Sequence, residues 1–321
     1  MKKEIAIIIP CYKAHKTIKK TLHSIFTQSL IDKIHVMVVV DADGENYDYL
    51  KDSFDVDILY LKENVGPGGA RQAGIDMSDE PFMMFVDSDD LLASPYAVHQ
   101  LYNHYEKPEN NDIVMIAGNF FEELNNGYIK HENDIVWLHG KMYRRSFWDE
   151  NGIRFNGTRA NEDLYVNKII QMLESDDAKI AFTQDLIYYW CYYDNSIVRR
   201  DNCAYTWNDA YTSMCYNNAE AIRFAKAHKG SIGNIKLMSI KTMVDAYLMY
   251  LGILNRGKEN EIANALKAAK KYYKQIYSKV DAKDIEGIEP TVYSGQLKAM
   301  NDQIKGLYLE PTYHEFLKML K

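Results

Sequence analysis

Two aspartates separated by one serine are the residues of this chain best suited to chemistry. Asp87, Ser88 and Asp89 directly follow a run of apolar residues at positions 83–86. In extended backbone alternate side chains share a face, so Asp87 and Asp89 are predicted to converge while Ser88 points away. Converging carboxylates repel unless a cation or proton intervenes, and Mg²⁺ or Mn²⁺ prefers oxygen ligands. Acidic pairs are also common on solvated loops, but the pattern favours a metal that shares its coordination with substrate phosphates.

A second acidic pair precedes a predicted helix in the middle of the chain. Asn161, Glu162 and Asp163 come just before a helical segment predicted over residues 164–173. One interpretation is structural, because asparagine caps helices and acidic side chains are stabilised by the helix dipole. The other makes one of these carboxylates a general base that takes the proton of a hydroxyl as its oxygen attacks an electrophile. Taken alone, the residues leave both interpretations open.

A glycine-rich segment with a nearby arginine suggests a binding loop. Gly66, Gly68 and Gly69 surround one proline, and Arg71 follows. The segment matches neither the dinucleotide template, whose third glycine would fall on Arg71, nor a Walker loop, which needs Gly-Lys-Ser/Thr. A glycine loop that opens a helix, with exposed amides and a guanidinium, suits a phosphate-bearing ligand or a carboxylate network. A tight turn with Arg71 bridging structural acids is the alternative.

Aromatic and cationic side chains cluster around residues 137–145. Trp137, His139 and Lys141 could line a pocket for a sugar and a diphosphate, or could form a solvated edge with Trp137 in the core. His139 is a conceivable further metal ligand, although a single histidine is more often structural. Trp190 lies in an aromatic run over residues 188–193 and could stack on a sugar, whereas aromatic strand residues usually pack in the core.

The elements that must position these residues alternate between strands and helices. Continuous apolar runs predict buried strands at residues 5–9, 35–40 and 57–61, with helices after the first and third. This alternation predicts a mostly parallel sheet with helices on both faces. Ligands of such sheets bind outside the carboxyl ends of the strands. Asp41, Asp43 and Asp89 all fall at that edge.

The pattern changes after about residue 112. An Asn125-Asn126-Gly127 turn predicts a hairpin, and with the run at 188–193 it indicates an antiparallel extension of the sheet. Beyond about residue 201 only helical periodicity remains, with a break near residues 284–290. We therefore predict a catalytic domain over 1–204 and a helical domain over 205–321. Four lysines recur at helical spacing in the second domain, where a solvated face is usual and an anionic-acceptor surface is the alternative: Lys267, Lys270, Lys271 and Lys274.

Composition limits the function classes. The 321 residues are 47% hydrophobic and 26% charged, as in globular proteins, and the net charge of −7 argues against a general attraction to nucleic acid. Four cysteines without CxxC spacing indicate neither a zinc site nor a disulfide framework, which fits a reducing compartment. The apolar runs are too short for a signal peptide or a bilayer span, so a cytoplasmic location is expected.

Together these residues resemble the family 2 glycosyltransferases, which have the GT-A fold. The resemblance covers about residues 4–200 and leaves the helical remainder out. It rests on a series of ordered motifs: the strand and turn Ile7-Ile8-Ile9-Pro10-Cys11-Tyr12-Lys13, the Asp41 segment, residues 64–74 with Asn64, Gly68 and Arg71, Asp87-Ser88-Asp89, residues 139–145, and Glu162-Asp163. Two positions depart from the family pattern. Asp41-Ala42-Asp43-Gly44 replaces D-D-G-S, and Gln72 replaces the asparagine after the family's arginine.

The resemblance implies a role for each position. Asp41 would recognise the base of a nucleoside diphosphate sugar, or this contact would shift to Asp43, and Asp87 would contact the ribose. Asp89 would bind Mn²⁺ or Mg²⁺, with Asp87 and His139 as further candidates, and Asp163 would be the catalytic base of an inverting transfer. The remaining donor-side candidates are Pro10, Tyr12, Asn64, Gly68, Arg71, Ser88 and Lys141. The acceptor-side candidates are Trp137, Glu162 and Trp190.

Two other functions compete with sugar transfer. A nucleotidyltransferase would also use metal-bound acids, but it normally needs a glycine-rich loop after the first strand, where this chain has Pro10-Cys11-Tyr12-Lys13. A non-catalytic nucleotide-sugar-binding module would tolerate loss of the base, yet Asp163 is present. A UDP-sugar is the expected donor. The acceptor is expected to be a saccharide or lipid-linked glycan, with a hydroxylated DNA base as the alternative.

Overall fold

The structure is a computed structural model, and it describes residues 2–193, 207–228, 230–256, 259–277 and 311–321. The chain divides into two compact units, Met1–Arg199 and Arg200–Lys321. The boundary predicted at 204/205 and the helix break predicted near 284–290 both lie outside the described residues. The domain limits therefore stay a prediction.

The first unit is built on one nine-stranded sheet. Its strands are β1 (Ile5–Cys11), β2 (Ile34–Val40), β3 (Val56–Tyr60), β4 (Phe82–Phe85), β5 (Leu91–Leu92), β6 (Ile113–Leu124), β7 (Gly127–His131), β8 (Lys141–Arg144) and β9 (Lys179–Trp190). Their order is β3-β2-β1-β4-β8-β6-β9-β5, and β7 pairs with β6. Strands β3, β2, β1 and β4 are parallel, as the alternating pattern predicted.

The second half of the sheet is mixed. Strand β8 pairs antiparallel with both β4 and β6, and the β6–β7 hairpin turns at Asn125 and Asn126, so the predicted antiparallel extension is confirmed for these strands. Strand β9 is longer than the aromatic run suggested, and it pairs parallel to β6 with several register shifts. The α/β fold class with a helical C-terminal region is confirmed.

Helices cover both faces of the sheet. In the first unit they are α1 (Ile18–Phe26), α2 (Gly66–Asp76), α3 (Ala97–Tyr105), α4 (Arg145–Glu150) and α5 (Glu162–Leu173). On one face Ile7 and Ile9 join a core with Leu22 of α1 and Leu101 of α3. On the other face Gly74 of α2 lies against Ile8 so closely that an added Cβ would be 2.4 Å from that side chain. Burial on both faces explains why β1 is continuously apolar.

The described part of the second unit is helical. Its helices are α6 (Trp207–Ala227), α7 (Ile232–Arg256), α8 (Glu259–Tyr277) and α9 (Tyr313–Leu320). The 23-residue segment Ile232–Leu254 of α7 is long and apolar enough to cross a membrane, which the apolar runs did not predict. However, 61% of this apolar segment is buried inside the protein, as in the core helix of a bundle, so the segment is weak evidence for a membrane span.

Candidate active site

The backbone after β4 differs from the predicted extended geometry. The strand ends at Phe85, and residues 87–90 form a turn in which Asp90 N–H donates to the Asp87 carbonyl over 3.0 Å. A turn brings its first and fourth residues together. Asp87 is therefore paired with Asp90, and the prediction that Asp87 and Asp89 share a face in extended backbone was wrong. Ser88 and Asp89 occupy the partly exposed centre of the turn.

His139 lies beside the two ends of this turn. Its Nε2 is 3.8 Å from Asp87 Oδ2 and 3.9 Å from Asp90 Oδ2. One donor atom from each of the three side chains fits within a 4.8 Å span. Tyr188 of β9 organises the group, because its ring stacks on His139 with centroids 4.8 Å apart. Its hydroxyl donates to Asp90 Oδ2 and accepts from Asp87 N–H.

The charges of this cluster suit a cation. Burial, and then the carboxylates of Asp89 and Asp87, raise the pKa of Asp90 well above its ordinary value. Burial also lowers the pKa of His139, which keeps the imidazole neutral and able to act as a ligand. The Nδ1 atom of His139 is buried without a hydrogen-bond partner among the described residues. Crowded carboxylates beside the Nε2 atom of a neutral imidazole fit a divalent metal ion.

Arg71 links the cluster to α5. Its guanidinium is 5% exposed and donates to Asp87 Oδ1 over 2.5 Å and to Glu162 Oε1 over 2.7 Å. Burial would raise the pKa of Asp87, but the guanidinium of Arg71 and then His139 outweigh burial and hold it below its ordinary value. Gly68 makes the close approach possible, since a Cβ there would lie 2.9 Å from Glu162 Cγ. Arg71 therefore bridges acids, the alternative that the sequence left open.

Asp163 lies in the first turn of α5, which begins at Glu162. Asn161 precedes the helix in a left-handed conformation and makes no side-chain capping hydrogen bond, so the simple capping interpretation does not hold. Asp163 Oδ1 accepts from Leu164 N–H over 2.7 Å. Burial, and then the neighbouring Glu162 carboxylate, raise the pKa of Asp163 to about 7. A carboxylate with this pKa can accept a proton near neutral pH.

Asp41, directly after β2, caps helix α2. Its two carboxylate oxygens accept from Val65 N–H over 2.8 Å and from Gly66 N–H over 2.9 Å, and Asn64 Nδ2 donates to its carbonyl. The predicted glycine loop is therefore the first turn of α2, and these amides are paired rather than exposed. The local pattern could not reveal this, because the cap comes from a residue 24 positions earlier.

Asp43 lies in the loop after β2 and is held in a similar way. Its Oδ2 accepts from Lys13 N–H over 2.6 Å and from the Tyr47 hydroxyl over 2.8 Å, and its Oδ1 accepts from Glu45 N–H. Burial would raise the pKa of Asp43, but these donors outweigh it and lower the pKa. Pro10 is the penultimate residue of β1, and Tyr12 follows the strand with half of its surface exposed.

Lys141 was expected to contact the diphosphate, but its side chain is enclosed by the protein. Its side chain is completely buried at the start of β8, and its Nζ donates to Asp134 Oδ1 over 3.0 Å. Trp137 and Trp190 are both partly buried, with ring centroids 6.1 Å apart, and Trp190 lies 5.0 Å from His139. These two acceptor-side candidates therefore flank the cluster on one side.

The structure gathers most of the predicted site residues at one edge but adds others. Asp87, Arg71, Glu162 and His139 are linked directly, as described above. Asp90 was visible as a third acid in the run but was not selected. Tyr188 acts through Asp87 and Asp90, which lie far away in sequence, so no local signal marks it. Asp134 pairs with the nearby Lys141 but was not selected from the sequence. The lysines of α8 named above are all exposed.

Comparisons with known proteins show what the chain resembles. The model of glycosyl transferase family 2 matches residues 6–160. The glycosyltransferase GlyA of Streptococcus pneumoniae is 26% identical over 58% of the chain and 30% of its own length. The poly(ribitol-phosphate) β-N-acetylglucosaminyltransferase TarP of Staphylococcus aureus is 27% identical over 48% of the chain and 52% of its own length. The chain thus spans about a third to half of these curated relatives.

Solved structures agree in fold. S. aureus TarS 1–349, solved in complex with UDP-GlcNAc, has a TM-score of 0.71 at 16% identity, covering 98% of this chain and 91% of its own. A mannosyltransferase from Pyrobaculum calidifontis, solved with GDP-Man and Mn²⁺, has a TM-score of 0.53 at 13% identity, covering 100% and 86%. At these identities the likeness shows the shared fold.

Proposed function

The chain belongs to glycosyl transferase family 2 through residues 6–160, and from this membership we propose that it transfers a sugar from a nucleoside diphosphate sugar to an acceptor hydroxyl. One observation carries the proposal. The Asp87–Asp90–His139 cluster, the Arg71 bridge and the first turn of α5 with Asp163 form a connected site at the carboxyl edge of the parallel strands. This edge is where α/β sheets bind nucleotides. The family match also counts against nucleotidyl transfer.

The donor is a UDP-sugar in this proposal. UDP-GlcNAc and UDP occupy the structural neighbour TarS. The nucleoside would lie along the loops after β1 and β2, among Pro10, Tyr12, Asp41, Asp43 and Asn64. The carboxylate oxygens of Asp41 and Asp43 already accept hydrogen bonds from the protein, and Asp43 Oδ2 accepts two of them. Both oxygens of Asp41 and Oδ1 of Asp43 each keep a second lone pair for a base N–H. The protein's own contacts thus hold these carboxylates in place without a donor.

The cofactor is Mn²⁺ or Mg²⁺. Asp87, Asp90 and His139 would hold it, joined by Asp89, which the family resemblance names as a ligand. When bound, the cation would supply positive charge for the departing diphosphate. The chain's own part is to keep three donors together and water largely out, since Asp90 and His139 are both buried.

The chemical step uses Asp163 as the base. Its carboxylate accepts the proton of the acceptor hydroxyl while that oxygen forms a bond to the anomeric carbon. The bond from this carbon to the diphosphate breaks, and UDP leaves with the bonding electron pair. One displacement of this kind inverts the anomeric configuration. A pKa of about 7 suits the role. Near neutral pH a large fraction of the group is deprotonated, and its carboxylate is more basic than that of an ordinary aspartate.

A donor screen tests the proposal. Thermal shift would be measured with UDP-, GDP-, CDP- and dTDP-sugars, each with Mn²⁺ and with EDTA, and hits would be confirmed by calorimetry. We expect stabilisation by UDP-sugars that requires Mn²⁺. Absence of nucleotide-sugar binding by the intact protein in Mn²⁺ would reject the glycosyltransferase proposal. Binding of a different nucleotide series would reject only the choice of UDP.

For the acceptor we propose a hydroxyl on a polymer that carries phosphates. Two relatives are named for poly(ribitol-phosphate), TarP and an enzyme of Bacillus spizizenii that is 27% identical over 62% of the chain. In this chain the α8 lysines lie at spacings of three, four and seven residues, so they share one helix face, and the four are exposed. Lysines bind phosphate as point charges, so this face suits a polyanion.

Acceptor competition tests this part separately. Poly(ribitol phosphate), a neutral oligosaccharide and duplex DNA with hydroxymethylated bases would be compared as acceptors. A variant with glutamine at Lys267, Lys270, Lys271 and Lys274 should raise KM for the polymer about tenfold at low salt, with kcat unchanged. A control variant would carry glutamine at four other exposed lysines: Lys16, Lys19, Lys51 and Lys62. Transfer to the neutral saccharide or to DNA instead would reject the proposed acceptor.

A further inference from the structure

A buried polar network surrounds the loop between β7 and β8. We define the 134–140 loop as residues 134–140, which carry both Trp137 and His139. Asp134 Oδ1 accepts from the N–H groups of Val136 and Trp137 over 3.1 and 3.0 Å. The same oxygen accepts from Lys141 Nζ over 3.0 Å, and Lys141 Nζ lies 3.4 Å from the carbonyl of His139, to which it also donates. One ion pair therefore holds both ends of the loop.

Helix α5 holds the loop from the other side. Asn167 is completely buried, and its Nδ2 donates to the carbonyls of Val136 and Trp137, each over 2.9 Å. Its Oδ1 accepts from the Tyr143 hydroxyl over 2.9 Å, which ties it to β8. One turn further along, Gln171 Nε2 donates to the Ile135 carbonyl over 3.0 Å.

The spacing of these residues on α5 links the loop to the proposed base. Asp163, Asn167 and Gln171 stand four residues apart, so they lie along one face of the helix. The helix thus presents Asp163 at its first turn and two loop anchors on the turns that follow. The loop end is also fixed, because Gly118 N–H donates to the Gly140 carbonyl over 2.9 Å, and Gly140 has φ +65°, which favours glycine.

We propose that Lys141, Asp134 and Asn167 are positioning residues that fix the 134–140 loop to the helix bearing Asp163. The network keeps His139 and Trp137 at a constant distance from Asp163. The residues proposed to bind the metal and the donor therefore keep a fixed position relative to the base. This inference builds on the proposed function. It also replaces the expectation that Lys141 contacts the diphosphate, because its Nζ is buried and already has two acceptors in the loop. Substituting residues that orient metal ligands commonly lowers activity by about 10–100-fold, and we expect an effect of this size here.

The main test is Asn167→Asp. The substitution keeps the acceptor for Tyr143 but replaces the amide donor with an oxygen facing two carbonyls, so the loop should detach from α5. Asn151→Asp is a matched control, because Asn151 also donates its side-chain amide to a carbonyl, that of Phe147, away from the loop. We expect Asn167→Asp to lower kcat about 10–100-fold while the Kd of the donor changes less than about threefold.

A second readout needs no activity. The NMR signals of the His139 ring report its stacking on Tyr188 in the protein without donor or metal. They are assigned by their loss in His139→Gln. They should shift in Asn167→Asp and stay in place in Asn151→Asp. Unchanged kcat together with unmoved His139 signals would overturn the inference. If the wild-type protein binds no nucleotide sugar, the proposed function fails, and the His139 signals alone then decide the inference.

A charge-balanced variant covers the case in which a single substitution prevents folding. Lys141→Met alone leaves the Asp134 carboxylate without its cation. Asp134→Asn alone leaves the buried Lys141 ammonium without its anion. The double variant Asp134→Asn/Lys141→Met removes both charges but keeps an oxygen for the N–H groups of Val136 and Trp137. We expect its unfolding midpoint to recover relative to either single variant while its His139 signals remain displaced. Recovery of both wild-type signals and wild-type kcat would show that the Lys141–Asp134 pair has no positioning role.

Discussion

Two acidic corners lie at the same edge of the sheet, and they are built in opposite ways. After β2, the carboxylates of Asp41 and Asp43 accept from backbone N–H groups and a tyrosine hydroxyl. After β4, Asp87 and Asp90 lie beside each other and beside an imidazole nitrogen. Neutral donors satisfy the first corner, whereas the second has an excess of negative charge that Arg71 only partly offsets.

The first corner therefore provides a fixed surface, and the second provides negative charge. Because its polar atoms are paired within the protein, the first corner is expected to form without ligand and to offer a preformed surface. In the second corner burial and neighbouring carboxylates raise the pKa of Asp90, so either a proton or a cation must be taken up. Two clusters of similar composition therefore have different roles, set by what surrounds each carboxylate rather than by residue type.

The largest expected effect is loss of the base. Asp163→Asn preserves the size of the side chain and an acceptor for Leu164 N–H, but it cannot take a proton. We expect kcat for sugar transfer to fall about 10²–10⁴-fold while donor binding in Mn²⁺ is unchanged by calorimetry. Asp176→Asn, in the exposed turn after α5, is the matched control and should be neutral. Full transfer activity in Asp163→Asn would remove Asp163 from the mechanism but leave the contrast between the corners intact.

A direct test of the contrast makes the same substitution in each corner. Asp90→Asn removes one charge from the cluster, and Asp43→Asn removes one charge from the loop after β2. We expect Mn²⁺ affinity, measured by calorimetry or by electron paramagnetic resonance of free Mn²⁺, to fall more than about 100-fold in Asp90→Asn. It should be unchanged in Asp43→Asn. Equal losses in the two variants would mean that the corners do not differ in charge as the structure indicates. The same assay on Asp89→Ala decides whether the exposed turn residue is also a ligand.

The pH profile tests how the second corner acts on the base. Burial, Glu162 and Asp87 act to raise the pKa of Asp163, whereas Arg71 acts to lower it, and the result is about 7. Below this pH the carboxyl is protonated and cannot accept a proton, so kcat/KM at saturating Mn²⁺ should fall about tenfold per pH unit. Above about pH 8 it should reach a plateau. A rate that is flat down to pH 5 would show that the raised pKa has no part in transfer.

Much of the fold could be predicted from the sequence, because burial on both faces makes strands such as β1 and β2 continuously apolar. The edge at which the acids gather followed from the order of these strands. Local geometry was less accessible. The turn at residues 87–90 replaced an extended stretch, and it exchanged Asp89 for Asp90 as the partner of Asp87.

The remaining differences depend on tertiary contacts and burial, which the local sequence pattern does not show. The predicted glycine loop is the first turn of helix α2 because Asp41 supplies its cap. Lys141 is buried because Asp134 and the 134–140 loop enclose it. The pKa of Asp163 is raised mainly by burial and by its neighbour Glu162, with smaller effects of Arg71, which lowers it, and Asp87, which raises it. A single sequence names such residues by type but does not pair them.

The smallest expected effect belongs to the first corner, where a substitution should change stability rather than metal binding. Asp41→Ala removes both acceptors at the start of α2 and should lower the free energy of unfolding by about 1–2 kcal/mol, as for other lost helix caps. Asp41→Asn keeps one oxygen acceptor and should lose about half as much. Urea unfolding gives both values, and Mn²⁺ affinity should match wild type in each variant. If Asp41→Ala instead weakened Mn²⁺ binding as strongly as Asp90→Asn, the two corners would act as one electrostatic unit. The conclusion that only the second corner binds the metal would then be wrong.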